Sequence, residues 1–230
     1  MNVLEVKGPI VSNDDYWIYE WLDYEATCPK VINQQLKEFK GQDITVEINS
    51  PGGSVFAGSE IYTALKSYLG NVAIKIVGMA ASAASVIAMA GNKVSMSPTA
   101  QIMIHNASVV AQGDHRDMEH TADFLKGINE SISNAYKIKS GLSTEELLEM
   151  MDNETWITSK IALELGLIDE IMFENENLQV VANVDGMLPT HVINKLKNTI
   201  KKPNNKDLER KQKELENKLK EIDLTLMLKE

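Results

Sequence analysis

Residues 72–91 read VAIKIVGMAASAASVIAMAG. The first six, Val72–Val77, are mostly apolar and β-branched, as in a buried strand, and Gly78 is typical of a turn. The small residues of Ala80–Ala90 then predict a helix that packs closely against its neighbours. Ser82 would lie at the start of this helix, where free backbone amides and the helix dipole favour a nearby anion.

The same order of elements occurs just upstream. Residues 43–48 read as a strand, and Gly52-Gly53 predict a turn. From Val55 to Leu69 apolar residues recur at helical spacing. Two successive strand–turn–helix units imply a parallel sheet with right-handed crossovers and helices packed on it, so we expect an α/β fold.

Other segments extend this pattern on both sides. Residues 3–7 predict a first strand, and Thr27 and Pro29 predict the cap and first turn of a helix. Residues 114–139 predict a long polar helix with an apolar stripe and Asp114 as its cap. A helix of this kind packs against its own domain or projects into a neighbouring subunit.

Three shorter elements follow the long helix. Ser143 begins a capping box that predicts a second helix. Residues 158–165 then predict one more short helix, and Leu167–Phe173 predict a final strand. These elements complete a first domain over residues 1–175.

The composition changes after this domain. Residues 176–206 are rich in Asn, Lys and Pro and predict a linker or extension. Residues 207–230 carry Leu and Ile at heptad-like spacing among Glu and Lys, which predicts an amphipathic helical tail. Coiled-coil pairing and docking of the tail on its own domain both remain open.

The bulk composition excludes several classes of partner. The net charge of −10 argues against a nucleic-acid backbone or an anionic membrane. The single cysteine, Cys28, excludes a disulfide framework and a Cys-rich metal site, and His115 and His120 are wrongly spaced to share a helical face. We therefore expect no metal and no cofactor. Neither a secretory signal nor a membrane-spanning run is recognisable, so we expect a cytoplasmic protein.

Three short stretches together suggest nucleophilic catalysis. A serine attacks a carbonyl when a base takes its proton and backbone donors receive the oxyanion. Ser82, His105 and Gly52-Gly53 are the residue types that these roles need. Each has an ordinary alternative, because Ser82 could belong only to a packed helix, His105 could be a hydrogen-bonded core residue, and the glycines could form a simple turn.

The combination of these stretches resembles the proteolytic subunit of the Clp protease, ClpP, and especially its phage-encoded relatives that act as head-maturation proteases. The matching motifs are Asn49–Val55, Gly78–Ser82 and Met103–His105, in the family's order. Leu163–Asp169 continues the match near the end of the domain. The similarity covers roughly residues 1–175 and does not include the tail. It implies the ClpP/crotonase-type α/β fold, with repeated β-β-α units, a protruding handle helix and, here, a C-terminal helical tail.

The resemblance assigns roles to individual residues. It implies that Ser82 is the nucleophile and His105 the general base. The backbone amides of Gly53 and Ala83 would form the oxyanion hole.

The third member of the triad is ambiguous in this sequence. The family places an aspartate two residues before an aromatic, and counting back from Trp156 gives Glu154. We prefer Glu154 and keep Asp152 as the alternative; if both are ordinary surface acids, a Ser-His dyad remains. The resemblance also implies that Asn106–Ala111 is the strand that pairs with an extended peptide substrate.

The implied function is a serine endopeptidase that hydrolyses peptide bonds through an acyl-enzyme. The resemblance further implies a homo-oligomeric ring, of seven subunits or stacked as fourteen, with or without a Clp ATPase that feeds it. In a phage, the polypeptide substrates would be capsid and scaffold proteins of the prohead. Two alternatives remain open: a catalytically silent ring or scaffold protein of the same fold, and a crotonase-like acyl-CoA enzyme.

Overall fold

Seven strands form one sheet in the computed structural model, which describes residues 2–174. The strands are β1 (Asn2–Lys7), β2 (Ile44–Ser50), β3 (Val72–Ala81), β4 (Lys93–Met96), β5 (Gln101–Ile104), β6 (Thr155–Thr158) and β7 (Glu170–Ile171). Five of them lie in the order β1-β2-β3-β4-β7, and every pairing along that path is parallel. β5 pairs parallel with β3, and β6 pairs antiparallel with β5. The predicted α/β fold with a parallel sheet core is confirmed.

Seven helices connect these strands within the described residues. They are α1 (Tyr16–Trp21), α2 (Pro29–Glu38), α3 (Val55–Lys66), α4 (Ala83–Ala88), α5 (His115–Ser140), α6 (Thr144–Asp152) and α7 (Ser159–Glu164). The hydrophobic core lies where α3 and α4 pack against the inner strands, most of whose apolar side chains are buried. None of these helices has both the length and the apolar character needed to cross a membrane.

Strand β3 organises the sheet because it pairs with different neighbours along its length. Residues 73–76 pair with β4, and residues 79–81 pair with β5. The prediction of a turn at Gly78 is therefore wrong, since the strand continues to Ala81. A β-carbon at Gly78 would lie 2.5 Å from Oδ1 of Asn49, so this glycine provides room for a neighbouring side chain.

Helix α4 is shorter than the sequence predicted. It spans Ala83–Ala88 because its first predicted residues belong to β3, and Ser82 is its N-cap. The predicted close packing is present: a β-carbon at Gly58 of α3 would lie 2.9 Å from the β-carbon of Ala83. Small residues on both helices therefore allow α3 to hold the start of α4 close.

Two further boundaries differ from the sequence predictions. Cys28, not Thr27, is the N-cap of α2, because the Thr27 hydroxyl is bonded to the backbone of Lys7 instead. The strand predicted over Leu167–Phe173 is reduced to the two residues of β7. It is short because β4, its neighbour, pairs with it only at Ser95 and Met96.

The long helix α5 is divided between an exposed and a packed half. A capping box of Asp114 and Asp117 begins it, and Gly141 in the left-handed conformation ends it. All four of its buried residues lie between Ile132 and Tyr136. The first part of α5, before Ile128, is mostly exposed, which agrees with the predicted protruding handle helix.

The predicted linker (176–206) and amphipathic tail (207–230) lie outside the described residues and stay predictions. The predicted first domain, 1–175, ends next to the last described residue, Glu174.

Candidate active site

Ser82 occupies a strained position between β3 and α4. Its backbone has φ 54° and ψ −124°, a combination that L-residues rarely adopt. The Ser82 N–H donates to the carbonyl of Met103 at 2.9 Å, which fixes the turn against β5. The side chain is half-buried at the carboxyl end of a central strand.

His105 follows β5, the parallel neighbour of the second half of β3. Ala81 pairs with Met103, so the residues just beyond these two strands meet at one edge of the sheet. Nε2 of His105 and Oγ of Ser82 are 2.8 Å apart, a hydrogen-bond distance. The structure therefore brings the predicted nucleophile and the predicted base together.

The Gly52-Gly53 turn lies beside the start of α4. Both glycines have positive φ, 91° and 148°, and a β-carbon at Gly53 would lie 2.1 Å from the carbonyl oxygen of Ile10. Gly52 is equally confined, since a β-carbon there would lie 3.0 Å from the Ala83 nitrogen. Only glycine fits this loop, because both the backbone conformation and the available space exclude a side chain.

The amide groups proposed for the oxyanion hole are unengaged. Within the described part of the chain, neither the N–H of Gly53 nor that of Ala83 donates a hydrogen bond, although the neighbouring Ser54 and Ser82 amides do. Ile10 holds this loop in place, because its N–H donates to the carbonyl oxygen of Gly52 at 2.8 Å. Two free donors thus lie in the glycine loop and in the residue that follows Ser82.

The two candidate acids do not reach His105. The Asp152 carboxylate accepts a hydrogen bond from Nδ2 of Asn106 at 2.6 Å, and both acids are exposed. Glu154 has a left-handed backbone with φ 46°, and among the described residues its carboxylate has no hydrogen-bond partner. The ring of His105 makes one hydrogen bond within that same region, the bond to Ser82.

The register of β5 and β6 nevertheless distinguishes the two acids. Ile104 pairs with Thr155, Met103 with Trp156 and Ile102 with Ile157, so paired numbers sum to 259. The ladder ends at the Ile104–Thr155 pair, so Glu154 and His105 are the residues next to its end. Asp152 is further away along the chain, because it is the last residue of α6.

The segment predicted as a substrate-binding strand is not a strand. Asn106–Ala111 has no regular secondary structure and no paired strand. The Ala107 N–H donates instead to Oδ1 of Asn129 on α5, at 2.9 Å. Within the described chain no strand pairs with this segment, and its predicted pairing with an extended peptide substrate stays a prediction.

Sequence reasoning missed Tyr136, which lines a narrow cavity beside the Ser82–His105 pair. The cavity is bounded by Val55, Ala83, Val86, Ala107, Ile132 and Tyr136 together with the pair itself. Burial raises the pKa of the Tyr136 hydroxyl far above its usual value, and a hydrogen bond with Ser85 partly opposes that rise. The apolar stripe of α5 predicted that the helix face carrying Tyr136 is buried. No sequence signal indicated that the Tyr136 hydroxyl would bond to Ser85.

The described residues contain no group of three or more His, Cys, Asp or Glu side chains arranged to hold a metal ion. His115 and His120 are both exposed in the first part of α5. Lys139 lies at the other end of the same helix and binds Asp169 with an N–O distance of 2.6 Å, which links α5 to the residue just before β7.

Comparison with known proteins agrees with this arrangement. Residues 25–175, about two thirds of the chain, match the family model described as Clp protease. The chain therefore belongs to the Clp protease family.

Individual relatives carry a more specific name. An ATP-dependent Clp protease proteolytic subunit of Bacteroides fragilis is 38% identical over 136 residues, which are 58% of this chain and 66% of the relative. Proteins of the same name from Porphyromonas gingivalis and Bacteroides thetaiotaomicron are 38% and 36% identical, each with 62% of its length covered. The chain thus spans slightly less than two thirds of the length of these relatives.

Proposed function

We propose that this protein is a serine endopeptidase in which Ser82 is the nucleophile and His105 the general base. The observation that carries the proposal is the 2.8 Å contact between Oγ of Ser82 and Nε2 of His105 at the ends of two adjacent parallel strands. Membership of the Clp protease family and similarity to named proteolytic subunits support it.

The proposed reaction follows from this geometry. As Ser82 Oγ attacks the carbonyl carbon of a peptide, His105 Nε2 takes its proton, and the carbonyl oxygen becomes an oxyanion. The free N–H groups of Gly53 and Ala83 would receive that oxyanion. His105 then gives the proton to the leaving amine, and water, deprotonated by His105 in its turn, hydrolyses the acyl-enzyme.

Glu154 is the proposed third member of the triad. Its position next to the end of the β5–β6 ladder, where His105 follows β5, supports this assignment, and a carboxylate there would orient the imidazole and stabilise its protonated form. Asp152 is the alternative, but its carboxylate already accepts a hydrogen bond from Asn106. In this assignment Asp152 holds the residue next to the base and does not contact the base itself.

The wider setting is part of the same proposal. The relatives are named as proteolytic subunits of an ATP-dependent protease, which supports a ring-forming peptidase that works with a Clp ATPase. Capsid and scaffold proteins of a phage prohead, and a cytoplasmic location, complete the hypothesis. Sedimentation analysis of the full chain measures the ring, and seven or fourteen copies are expected.

Labelling with a fluorophosphonate serine probe tests the catalytic proposal. We expect the wild type to be labelled at Ser82, Ser82→Ala to be unlabelled, and His105→Ala to be labelled very slowly. Matched controls are Ser131→Ala and His120→Ala, which remove an exposed serine and an exposed histidine of α5. If wild-type protein that has formed rings is neither labelled nor able to cleave casein, the protease proposal fails and a catalytically silent assembly protein becomes the better explanation.

A further inference from the structure

A buried pair of hydroxyl groups lies directly behind the start of α4, and the proposed mechanism does not use it. Ser85 is fully buried and Tyr136 is 1% exposed. The two oxygens are 2.8 Å apart, although the residues belong to different helices, α4 and the packed half of α5. Burying a hydroxyl group costs folding free energy unless the group is hydrogen-bonded, so the Tyr136 hydroxyl needs Ser85 as a partner.

The direction of the hydrogen bonds can be deduced. Oγ of Ser85 donates to the backbone carbonyl of Ser82 at 2.6 Å. A carbonyl only accepts, so this bond uses the single proton of Ser85, and Tyr136 must be the donor in the other bond. The chain of donors therefore runs from the Tyr136 hydroxyl through Ser85 Oγ to the carbonyl oxygen of Ser82.

This carbonyl belongs to the peptide unit that carries the Ala83 N–H. The peptide is planar, so a bond that fixes the direction of the Ser82 carbonyl also fixes the direction of the Ala83 N–H. The amide of Ser85 donates to the same carbonyl at 2.9 Å. Hydrogen bonds accepted by a carbonyl also polarise the amide and make its N–H a stronger donor.

The strained backbone makes such support necessary. With φ 54° and ψ −124°, Ser82 occupies a sparsely populated region that persists only when the surrounding structure holds it. The hydroxyl pair holds the peptide from the side opposite to the free Ala83 N–H.

We propose that Tyr136 and Ser85 are positioning residues that hold and polarise the Ser82–Ala83 peptide, so that the Ala83 N–H is directed at the oxyanion of the substrate. This inference rests on the proposed function, in which Ala83 is an oxyanion donor. It adds a connection between α5 and the chemistry at Ser82.

The test compares Tyr136→Phe, Ser85→Ala and the double variant with wild type. A hydrogen bond that contributes modestly to orientation is worth about 3-fold to 10-fold in rate. We expect kcat for peptide cleavage to fall about 3-fold in Tyr136→Phe and about 10-fold in Ser85→Ala, with KM unchanged. The rate of phosphonylation of Ser82 should fall in parallel, because the tetrahedral adduct also places an oxygen in the oxyanion hole.

Stability separates a positioning role from a structural one. Ser85→Ala leaves the Tyr136 hydroxyl buried without its acceptor, which should lower the unfolding temperature, whereas the double variant removes both groups and should recover much of that stability. A purely structural role predicts that kcat recovers together with stability. The positioning role predicts that kcat of the double variant remains about 10-fold low.

Matched controls are available elsewhere in the chain. Tyr68→Phe removes a hydroxyl that donates to the carbonyl of Gln42, and Ser133→Ala removes a buried hydroxyl that donates to the carbonyl three residues earlier, at Glu130. Both should keep wild-type kcat. The inference is overturned if kcat of all three variants lies within 2-fold of these controls. It is also overturned if kcat recovers in the double variant. An unlabelled and inactive wild type would instead remove the proposed function itself, and the inference with it.

Discussion

The two sides of the candidate site are held in different ways. Ser82 and His105 follow β3 and β5, strands that pair in the middle of the sheet, and their side chains are half-buried and in contact. Asp152 is the last residue of α6, and Glu154 lies in the turn between α6 and β6; both are exposed, and neither forms a hydrogen bond with His105. The nucleophile side is thus positioned by the core, and the acid side by an exposed turn.

This difference affects how far each side can move. Burial and strand pairing fix a side chain within a narrow range, because any shift must displace close-packed neighbours. An exposed turn has few such neighbours, so its carboxylates can rotate at little cost. We therefore expect substitutions on the nucleophile side to have the larger effects.

The largest expected effect comes from the nucleophile itself. Ser82→Ala should lower the turnover of a peptide substrate by about 10⁴-fold to 10⁶-fold, because the acyl-enzyme cannot form. The variant should keep the wild-type unfolding temperature within about 2 °C, since only a half-buried oxygen is removed. Turnover within 10-fold of wild type would show that another residue is the nucleophile.

Gly53→Ala should have the next largest effect. The added β-carbon would meet the Ile10 carbonyl oxygen at 2.1 Å, so the loop and the Gly53 N–H that we propose as an oxyanion donor must move. We expect a loss of about 100-fold to 1000-fold in kcat, the usual effect of losing one oxyanion donor. Gly127→Ala is the control, because no atom lies near its added β-carbon. Equal activity of the two variants would contradict the assigned role of Gly53.

The acid side is tested by two isosteric changes. Glu154→Gln should lower kcat by about 10-fold to 100-fold, less than the loss of about 10⁴-fold seen for a buried triad aspartate, because this carboxylate is exposed. Asp152→Asn should stay within about 3-fold of wild type, since its amide can still bond to Asn106. The reverse order would make Asp152 the third member, and two unchanged variants would leave a Ser-His dyad.

The smallest expected effect is a pH dependence of the free energy of unfolding that comes from the buried Tyr136 hydroxyl. Burial raises the pKa of Tyr136 above its ordinary value of about 10. Above pH 10 the unfolded chain therefore releases a proton that the folded chain keeps, and stability falls as pH rises. The slope contributed by this group is at most about 1.4 kcal/mol per pH unit.

Urea unfolding of wild type and Tyr136→Phe between pH 9 and pH 11 measures this contribution. The variant keeps the ring but lacks the ionisable hydroxyl, so its stability should fall less steeply above pH 10. Tyr62, whose pKa is also raised by burial, is present in both proteins and does not affect the difference. Parallel curves would show that the Tyr136 hydroxyl ionises as easily in the folded protein as in the unfolded one.

The strands and helices nearest the site were largely predictable, with instructive errors. Period and capping signals located β1, β2, α3, α5 and α6, because local preferences and tertiary packing agree there. The turn predicted at Gly78 was wrong, because a glycine is compatible both with a turn and with a close contact in a strand. Only the position of the Asn49 side chain shows that the second applies here. Asn106–Ala111 has no strand conformation within the described chain, and its predicted pairing with a substrate stays a prediction, because a strand forms only with a partner.

The sequence by itself determined the family, the alternation of strands and helices, and the choice of Ser82, His105, Gly53 and Ala83 as candidates. These conclusions rest on local patterns and motif order, which a linear chain displays directly. Only the tertiary structure decided that β3 continues through Gly78 to a strained Ser82, that His105 lies 2.8 Å from it, and that Tyr136 meets Ser85. Those facts depend on which distant segments become neighbours, and that is fixed by strand register and core packing.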